Sequence, residues 1–388
     1  MSLRSRRLTI LVAGMVAGTP GQGGATWAVL QYLLGLRRLG HRVVFVETVH
    51  TRDVRPPFEV LSRSQNARFA EAVMDEFGFG SDWALVRSGR AETAGMSREA
   101  LLEVAGTSDL LLNLGGTLTH EPVIERVPHR VFVDLDPGFT QIWHEDEGLD
   151  MGFDAHDHFV TVGLAVGQVG CPIPTAGRKW FTSLPPVVLA SWLPEHDVSA
   201  RWTTVANWRS YGTVNHKGLT YGQKAHSWRD LVSVPARTGE AFEIALAIDP
   251  NERDDVASLR SNGWRLVDPA NVAGTPDSYR RFVRQSKAEI AVAKSGYVHS
   301  RSGWFSDRSA CYLSCGLPVV AQDTGFGRFL PTGEGLVPFA TLLEACDAVN
   351  RVSRDYPTHR RAARRLAEEL FDSDRVLTAL LDQVGALS

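Results

Sequence analysis

A chain of 388 residues is longer than one hydrophobic core usually supports, so its length predicts two domains. Its 41 basic residues against 44 acidic ones leave a net charge of −3, which supplies neither the basic field that nucleic acid requires nor a polybasic membrane patch. Hydrophobic residues make up 44% and charged residues 22%, ordinary values for a soluble globular protein, and no run approaches the roughly 20 apolar residues of a membrane span. Four cysteines, Cys171, Cys311, Cys315 and Cys346, show no CxxC spacing. That disfavours a zinc site or a disulfide framework and predicts reduced thiols in the cytoplasm. The opening Ser2–Gly18, with basic residues ahead of an apolar run, superficially resembles a signal peptide. The run is short and passes into a glycine loop and an amphipathic helix, so it is read as a first buried strand.

In chain order, an apolar strand Leu8–Ala13 leads into the loop Gly14–Gly24, which carries Gly14, Gly18, Gly21, Gly23 and Gly24. Helical periodicity follows at Trp27, Leu30, Leu34 and Leu36, stops at Gly40, and gives way to a strand Arg42–Glu47. This is one βαβ unit, without the short GxGxxG dinucleotide fingerprint. Helices are predicted over Arg63–Gly80 and Ser97–Ala105, and strands over Asp109–Leu114 and Arg130–Asp134. The second of these strands ends in Asp134-Leu135-Asp136-Pro137, where a pocket of an open α/β sheet is expected, and an aromatic and acidic cluster Gln141–Glu147 comes next. Pro- and Gly-rich sequence over Gly163–Pro194 predicts an extended connection, with Pro185–Leu189 as a short strand and the domain boundary near Pro194. A second series then alternates strands (Trp202–Ala206, Phe242–Ile248, Trp264–Val267, Ala288–Ala293) with helices (Ser227–Val234, Asn251–Asn262, Pro276–Ser286), implying a second parallel sheet. The tail Leu342–Leu387 reads as helical, and its Arg360, Arg361, Arg364 and Arg365 as a solvated helix face.

Ser300–Gly327 is the most informative stretch. A small-residue loop (Ser300, Ser302, Gly303) precedes a helix Ser306–Cys315, then a strand Leu317–Ala321 and a polar turn Gln322-Asp323-Thr324-Gly325. A helix start offers unpaired N–H groups and a partial positive charge to an anion. A polar turn at the carboxyl edge of a parallel sheet offers hydrogen bonds to hydroxyls. Phosphate beside hydroxyl recognition suggests a sugar nucleotide. The same pattern, a small-residue loop, a helix ending in Gly, a Pro-Val-Val strand and a polar turn, resembles the donor half of glycosyltransferases with the GT-B fold. The resemblance covers mainly residues 295 to 340. It departs at Cys311, where many relatives carry a Glu that binds ribose or donor sugar; Asp307 and Arg308 are the substitutes in this chain.

That resemblance implies two Rossmann-like α/β domains with parallel sheets facing across a cleft: residues 1–194 on the acceptor side, 195–370 on the donor side, and 371–388 as a helix crossing back to the first domain. It implies transfer of a sugar from a nucleotide diphosphate sugar to a small-molecule acceptor, with no metal, no cofactor and no nucleic-acid partner. Asp134-Leu135-Asp136 resembles the Asp-x-Asp of metal-dependent enzymes, but it sits in a chain that otherwise reads as GT-B. For the diphosphate the candidates are Ser302, Gly303 and Ser306 with Arg308 as the cation, Arg301 and Arg209 as alternates, and Asn207 after the first strand of the second domain. Gly23 and Gly24 in the first loop would admit donor phosphate or acceptor. Val267 and the loop after it would meet the nucleotide base, and Gln322, Asp323, Thr324 and Gly325 the sugar hydroxyls. The first glycine loop lacks the His that relatives often use as base, which leaves Asp136, His144 and His120 as candidates. A sugar-nucleotide epimerase of the same fold and a non-catalytic sugar-nucleotide-binding scaffold are the alternatives.

Overall fold

The computed structural model describes residues 7–195 and 198–387, so Arg4 and Arg6 of the leader-like opening lie outside the described residues. The first half is built on an eight-stranded sheet: β1 (Thr9–Ala13), β2 (Arg42–Val49), β3 (Trp83–Arg87), β4 (Thr93–Gly95), β5 (Leu110–Leu114), β6 (Arg130–Asp134), β7 (His158–Thr161) and β8 (Trp180–Thr182). Their order is β4-β3-β2-β1-β5-β6-β7-β8, and only β4 runs antiparallel, against β3. The second half starts with β9 (Arg201–Asn207), continues through a hairpin of β10 (Val214–His216) and β11 (Leu219–Tyr221), and then contributes β12 (Ala241–Ala247), β13 (Trp264–Val267), β14 (Ala288–Ala291), β15 (Val319–Gln322) and β16 (Leu336–Phe339). Six of these strands form a wholly parallel sheet ordered β13-β12-β9-β14-β15-β16.

Each sheet therefore grows outward from its first strand in one direction and then restarts on the other side, between β1 and β5 in the first half and between β9 and β14 in the second. At such a switch point two neighbouring loops leave toward opposite faces and open a crevice at the carboxyl ends of the strands. These strands read as near-continuous apolar runs because helices cover both faces of the sheet; β1, β5 and β6 are buried almost throughout.

One buried apolar cluster runs across both halves, from Ile10 and Trp27 through Trp192 and Tyr279 to Tyr312 and Leu377. The long helix Gly23–Arg38 lies at its centre. Gly23 lets the start of that helix reach the second half: a Cβ there would stand 2.2 Å from the Thr275 carbonyl oxygen. Farther along, Gly35 admits the last helix, Ser373–Gln383, whose Leu377 would lie 2.5 Å from a Cβ. Arg38 pairs with Asp374 at 3.1 Å across the same contact.

Several elements differ from the sequence reading. Strands β3, β4, β7, β8 and β16 and the β10–β11 hairpin were not anticipated; most are three to five residues long, too short to show a period. The strand expected over Pro185–Leu189 does not form. Two prolines lack the N–H a ladder needs, and Val187 instead makes an isolated bridge to Asp372. The helix expected at Ser227–Val234 begins earlier, at Lys224, and ends at Leu231. Among the described residues no helix is long and apolar enough to cross a membrane.

Candidate functional site

The two switch points face each other across a cavity of about 510 Å³. One wall is the end of the glycine loop after β1, Pro20 to Gln22, with Gly24 and Ala25 of the helix that follows; Gly23 packs against Thr275 and does not line it. The other is formed by the strand ends of the second half: Asn207 at the end of β9, Ala247 of β12, and Asp268 to Ala270 after β13. The glycine loop is held from below by Glu47 in β2, 1% exposed, whose carboxylate accepts the N–H groups of Val16, Ala17 and Gly18 at 2.9, 2.7 and 2.6 Å. Burial pushes this carboxyl up to about 7 against the pull of those donors.

Three cationic side chains converge on the cavity: Lys224, Lys294 and Arg308. Lys224 opens the helix after the β10–β11 hairpin; burial, with the nearby Arg308 charge, lowers it to about 7. Lys294 follows β14 at the switch point, and burial lowers it too to about 7. Its ammonium reaches across to the first half, 2.8 Å from Asp136 Oδ2, and touches the Tyr211 hydroxyl. Tyr297 donates its hydroxyl to the other oxygen of Asp136. Burial, reinforced by the neighbouring Asp134 charge, pushes Asp136 well above the usual carboxylate range despite that hydrogen bond. Burial thus drives the acid up and the amine down at the same contact. Asp134, one turn of chain earlier, is a different kind of carboxylate: fully buried, it accepts from Thr140, Gln141, Thr161 and the Asp136 N–H and shapes the loop that carries Asp136.

Several residues singled out in the sequence stand elsewhere. Arg308 lines the cavity, but its guanidinium is 11% exposed, pairs with the fully buried Glu289 and donates to the Val205 carbonyl at 2.9 Å. Burial works against its charge, and Glu289 more than offsets this. Arg209 points away from the cavity to Glu252. Ser302 and Gly303 are buried between the halves: the Ser302 carbonyl accepts from Ala165 N–H at 3.0 Å, and Gly303 N–H donates to the Thr324 carbonyl at 2.8 Å. The end of β15 and the turn after it are tied down, with Gln322 Oε1 taking the Ala293 N–H at 3.2 Å, Asp323 Oδ1 the Gly325 N–H at 2.8 Å, and the Thr324 hydroxyl donating to the Trp304 carbonyl at 2.5 Å. Trp304 joins the first half through a main-chain bridge to Gly163. His144 lies on the helix Phe139–Glu145 with its ring 4.5 Å from that of Phe153, and His120 immediately precedes the short helix Glu121–Ile124 without a side-chain capping bond; neither lines the cavity. Asp307 and Gly24 do line it, while Ser306 sits at the cap of the helix Asp307–Ser314 and Val267 ends β13, one residue before the cavity wall.

Lys224, Lys294, Tyr211 and Glu47 went unnoticed in the sequence. The rule that picked out Asp136, a polar residue just past a strand end, applies equally to Lys294 after β14. Lys224 and Tyr211 carry no such signal, because the strands of the hairpin between them are only three residues long and show no period.

Among the described residues no group of three or more His, Cys, Asp or Glu side chains is placed to hold a metal ion. The chain is an α/β protein of two Rossmann-like halves enclosing a cleft lined by Lys224, Lys294 and Arg308 together with Asp268 and Asp307. No family model matches the sequence, and comparison with curated proteins finds none similar to it. Solved structures do resemble it. One of an alpha-glucosyltransferase in complex with UDP matches over 97% of this chain and 100% of its own at a TM-score of 0.58 and 12% identity, and an alpha-glucosyltransferase has also been solved with UDP and a 13-mer DNA. HepE from Anabaena, in complex with UDP and glucose, matches over 98% and 100% at a TM-score of 0.60 and 10% identity. Sucrose-phosphate synthase from Thermosynechococcus elongatus matches over 98% and 100% at 0.57 and 13%. At these identities the likeness is one of fold, and the fold is GT-B.

Proposed function

We propose that this chain is a cytoplasmic glycosyltransferase that moves a sugar from a nucleoside diphosphate sugar to the hydroxyl of a small molecule, without a metal ion or a cofactor. The observation that carries the reading is the convergence of Lys224, Lys294 and Arg308 on one cavity between two switch points, with Asp136 against Lys294. A departing diphosphate needs positive charge fixed in place before it leaves, and preorganised cations in a partly dry cleft supply it. The nucleoside lies against Asp268–Ala270, the diphosphate between the three cations, and the sugar toward the glycine loop. The acceptor oxygen attacks C1 of the sugar as the C1–O bond to the diphosphate breaks. That electron pair leaves on the diphosphate, and the acceptor proton passes to Asp136. Before donor binds, Lys294 holds Asp136 in an ion pair; a diphosphate that draws Lys294 to itself frees the carboxylate to take the proton. The net charge of −3 disfavours a nucleic-acid acceptor.

Calorimetric titration with UDP and with uridine tests the diphosphate assignment. Lys224→Met removes a charged hydrogen-bond donor, so UDP binding should weaken about tenfold or more while uridine binding changes less than about twofold. Because burial lowers Lys224 to about 7, UDP affinity in the unmodified protein should fall as pH rises from about 6 to about 8, and this slope should be shallower in the variant, where Lys294 alone of the two lysines remains to titrate. An equal loss for both ligands, or no binding of UDP at all, overturns the reading.

A further inference from the structure

A second cavity, of about 190 Å³, opens off the cleft behind the first turns of the helix Gly23–Arg38 and shares Gly24, Tyr279 and Asp307 with it. Its other walls are mostly rings and hydrocarbon: Trp27, Leu135, Val162, Trp304 and Phe305, with the Pro185–Pro186 pair. Leu135 immediately precedes Asp136, the base proposed above, which itself lines neither cavity. Two polar side chains of the long helix border it. Gln31 is already engaged, its Oε1 accepting the Val188 N–H at 2.7 Å and its Nε2 pointing to Cys311 Sγ at 3.6 Å. Tyr32 is not: the residue is 2% exposed and its hydroxyl has no hydrogen-bond partner. A buried hydroxyl left unpaired costs about 1–3 kcal/mol, so this one favours any occupant that brings a polar atom to it. The Asp307 carboxylate acts on the same hydroxyl and, with burial, keeps it protonated and able to donate.

The lining selects against a sugar. A hexose carries a hydroxyl on nearly every carbon, and most of them would be buried here without partners. An aromatic ring meets the opposite conditions: aromatic walls favour edge-to-face contact, and a volume near 150 Å³ is already enough for benzene in an apolar protein cavity. We infer that this second cavity is the acceptor subsite and takes a ring-bearing apolar alcohol, its ring among Trp27, Trp304 and Phe305 and its oxygen between Tyr32 and Asp307 at the mouth. The inference rests on the transferase reading and names the class of substrate that reading leaves open.

Equilibrium dialysis with the full chain, no donor present, compares 4-ethylphenol with ethylbenzene, the same ring without the hydroxyl, while UDP binding is measured on the same preparations. The phenol should bind saturably. Ala28→Phe, which puts a ring into the cavity from a partly exposed position on its wall, should abolish phenol binding and leave UDP affinity within about twofold. Tyr32→Phe should weaken 4-ethylphenol about fivefold or more and ethylbenzene less than about twofold, with UDP again unchanged. Absence of phenol binding, or phenol binding that neither substitution disturbs, overturns the subsite. Failure of the unmodified protein to bind UDP bears on the transferase reading instead, so the two can fail separately; should Ala28→Phe not fold, the Tyr32→Phe comparison decides alone.

Discussion

Arg308 shows how a side chain can border a ligand site and still have its main partner in the core. Glu289 is fully buried, its Oε1 accepts from Arg308 Nε, its Oε2 has no hydrogen-bond partner, and Arg308 is its counter-charge. Removing the guanidinium strands a carboxylate in a dry environment, which typically costs about 3–5 kcal/mol. Arg308→Ala should therefore lower the denaturation midpoint sharply, and adding Glu289→Ala should restore part of the loss. If Arg308→Ala keeps its stability and loses only UDP affinity, the guanidinium serves phosphate alone. At this scale the sequence revealed chemistry better than partners. Asp136 was legible because a polar residue at a strand end is placed by topology. Arg209 was not, because its partner Glu252 is 43 residues away, and neither was His144, whose helix turns its ring toward Phe153 and not toward the cleft. The turn after β15 was legible as a turn. That its side chains hydrogen-bond its own backbone and the loop at Trp304 depends on how the loop Arg301–Phe305 folds over it, which no local pattern encodes.

At the scale of elements, the glycine loop after β1 is the part most directly shaped by a single residue. Its backbone points several N–H groups inward, and Glu47 gathers those of Val16, Ala17 and Gly18. Glu47→Gln replaces one acceptor oxygen with an NH₂ group facing N–H donors, and each donor left unpaired costs about 1–3 kcal/mol. The variant should melt at lower temperature and bind UDP less tightly, because Pro20 to Gln22 of the loop line the cavity. The pH dependence has a definite sign. Burial raises the folded-state value from 4.5 to about 7, so the Glu47 contribution is fully present below about 4.5 and is lost as pH rises through about 7. Melting temperature measured across that window should carry this slope in the unmodified protein and lose it in Glu47→Gln; parallel curves would mean that Glu47 is not the titrating group. The loop itself was plain in the sequence from its glycines, but its anchor was not. Glu47 ended a predicted strand and resembled any polar strand terminus until β2 was found to run on to Val49 and bury it. Length explains the missed strands: His158–Thr161 and Trp180–Thr182 extend the sheet at its edge, stabilised by neighbours already in place.

Across the whole molecule the halves meet on more than one side of the cleft. Trp27 donates its indole N–H to the Pro276 carbonyl at 2.8 Å and packs edge-on against Trp192 with ring centroids 4.9 Å apart. On another side the Gly163–Trp304 bridge joins the halves through main chain, and His216 of the β10–β11 hairpin pairs with Asp146 of the first half. Any relative movement of the sheets has to break these contacts, so they set the cleft geometry that brings Lys294 to Asp136. Two parallel sheets were foreseeable from alternating strand and helix patterns. The contacts between them were not, since each joins residues far apart in sequence whose types alone specify no partner.

The most direct test of the account is release of nucleoside diphosphate from a panel of sugar nucleotides, followed in the unmodified protein and in Asp136→Asn. The account predicts slow release from at least one donor without added acceptor, water taking the acceptor's place, and a fall of about 10²-fold or more in the variant with donor binding within a few-fold, the scale expected for loss of a general base. Tight binding of a sugar nucleotide by the unmodified protein with no release of diphosphate, whatever acceptor is supplied, would contradict it and would make the chain a sugar-nucleotide-binding scaffold.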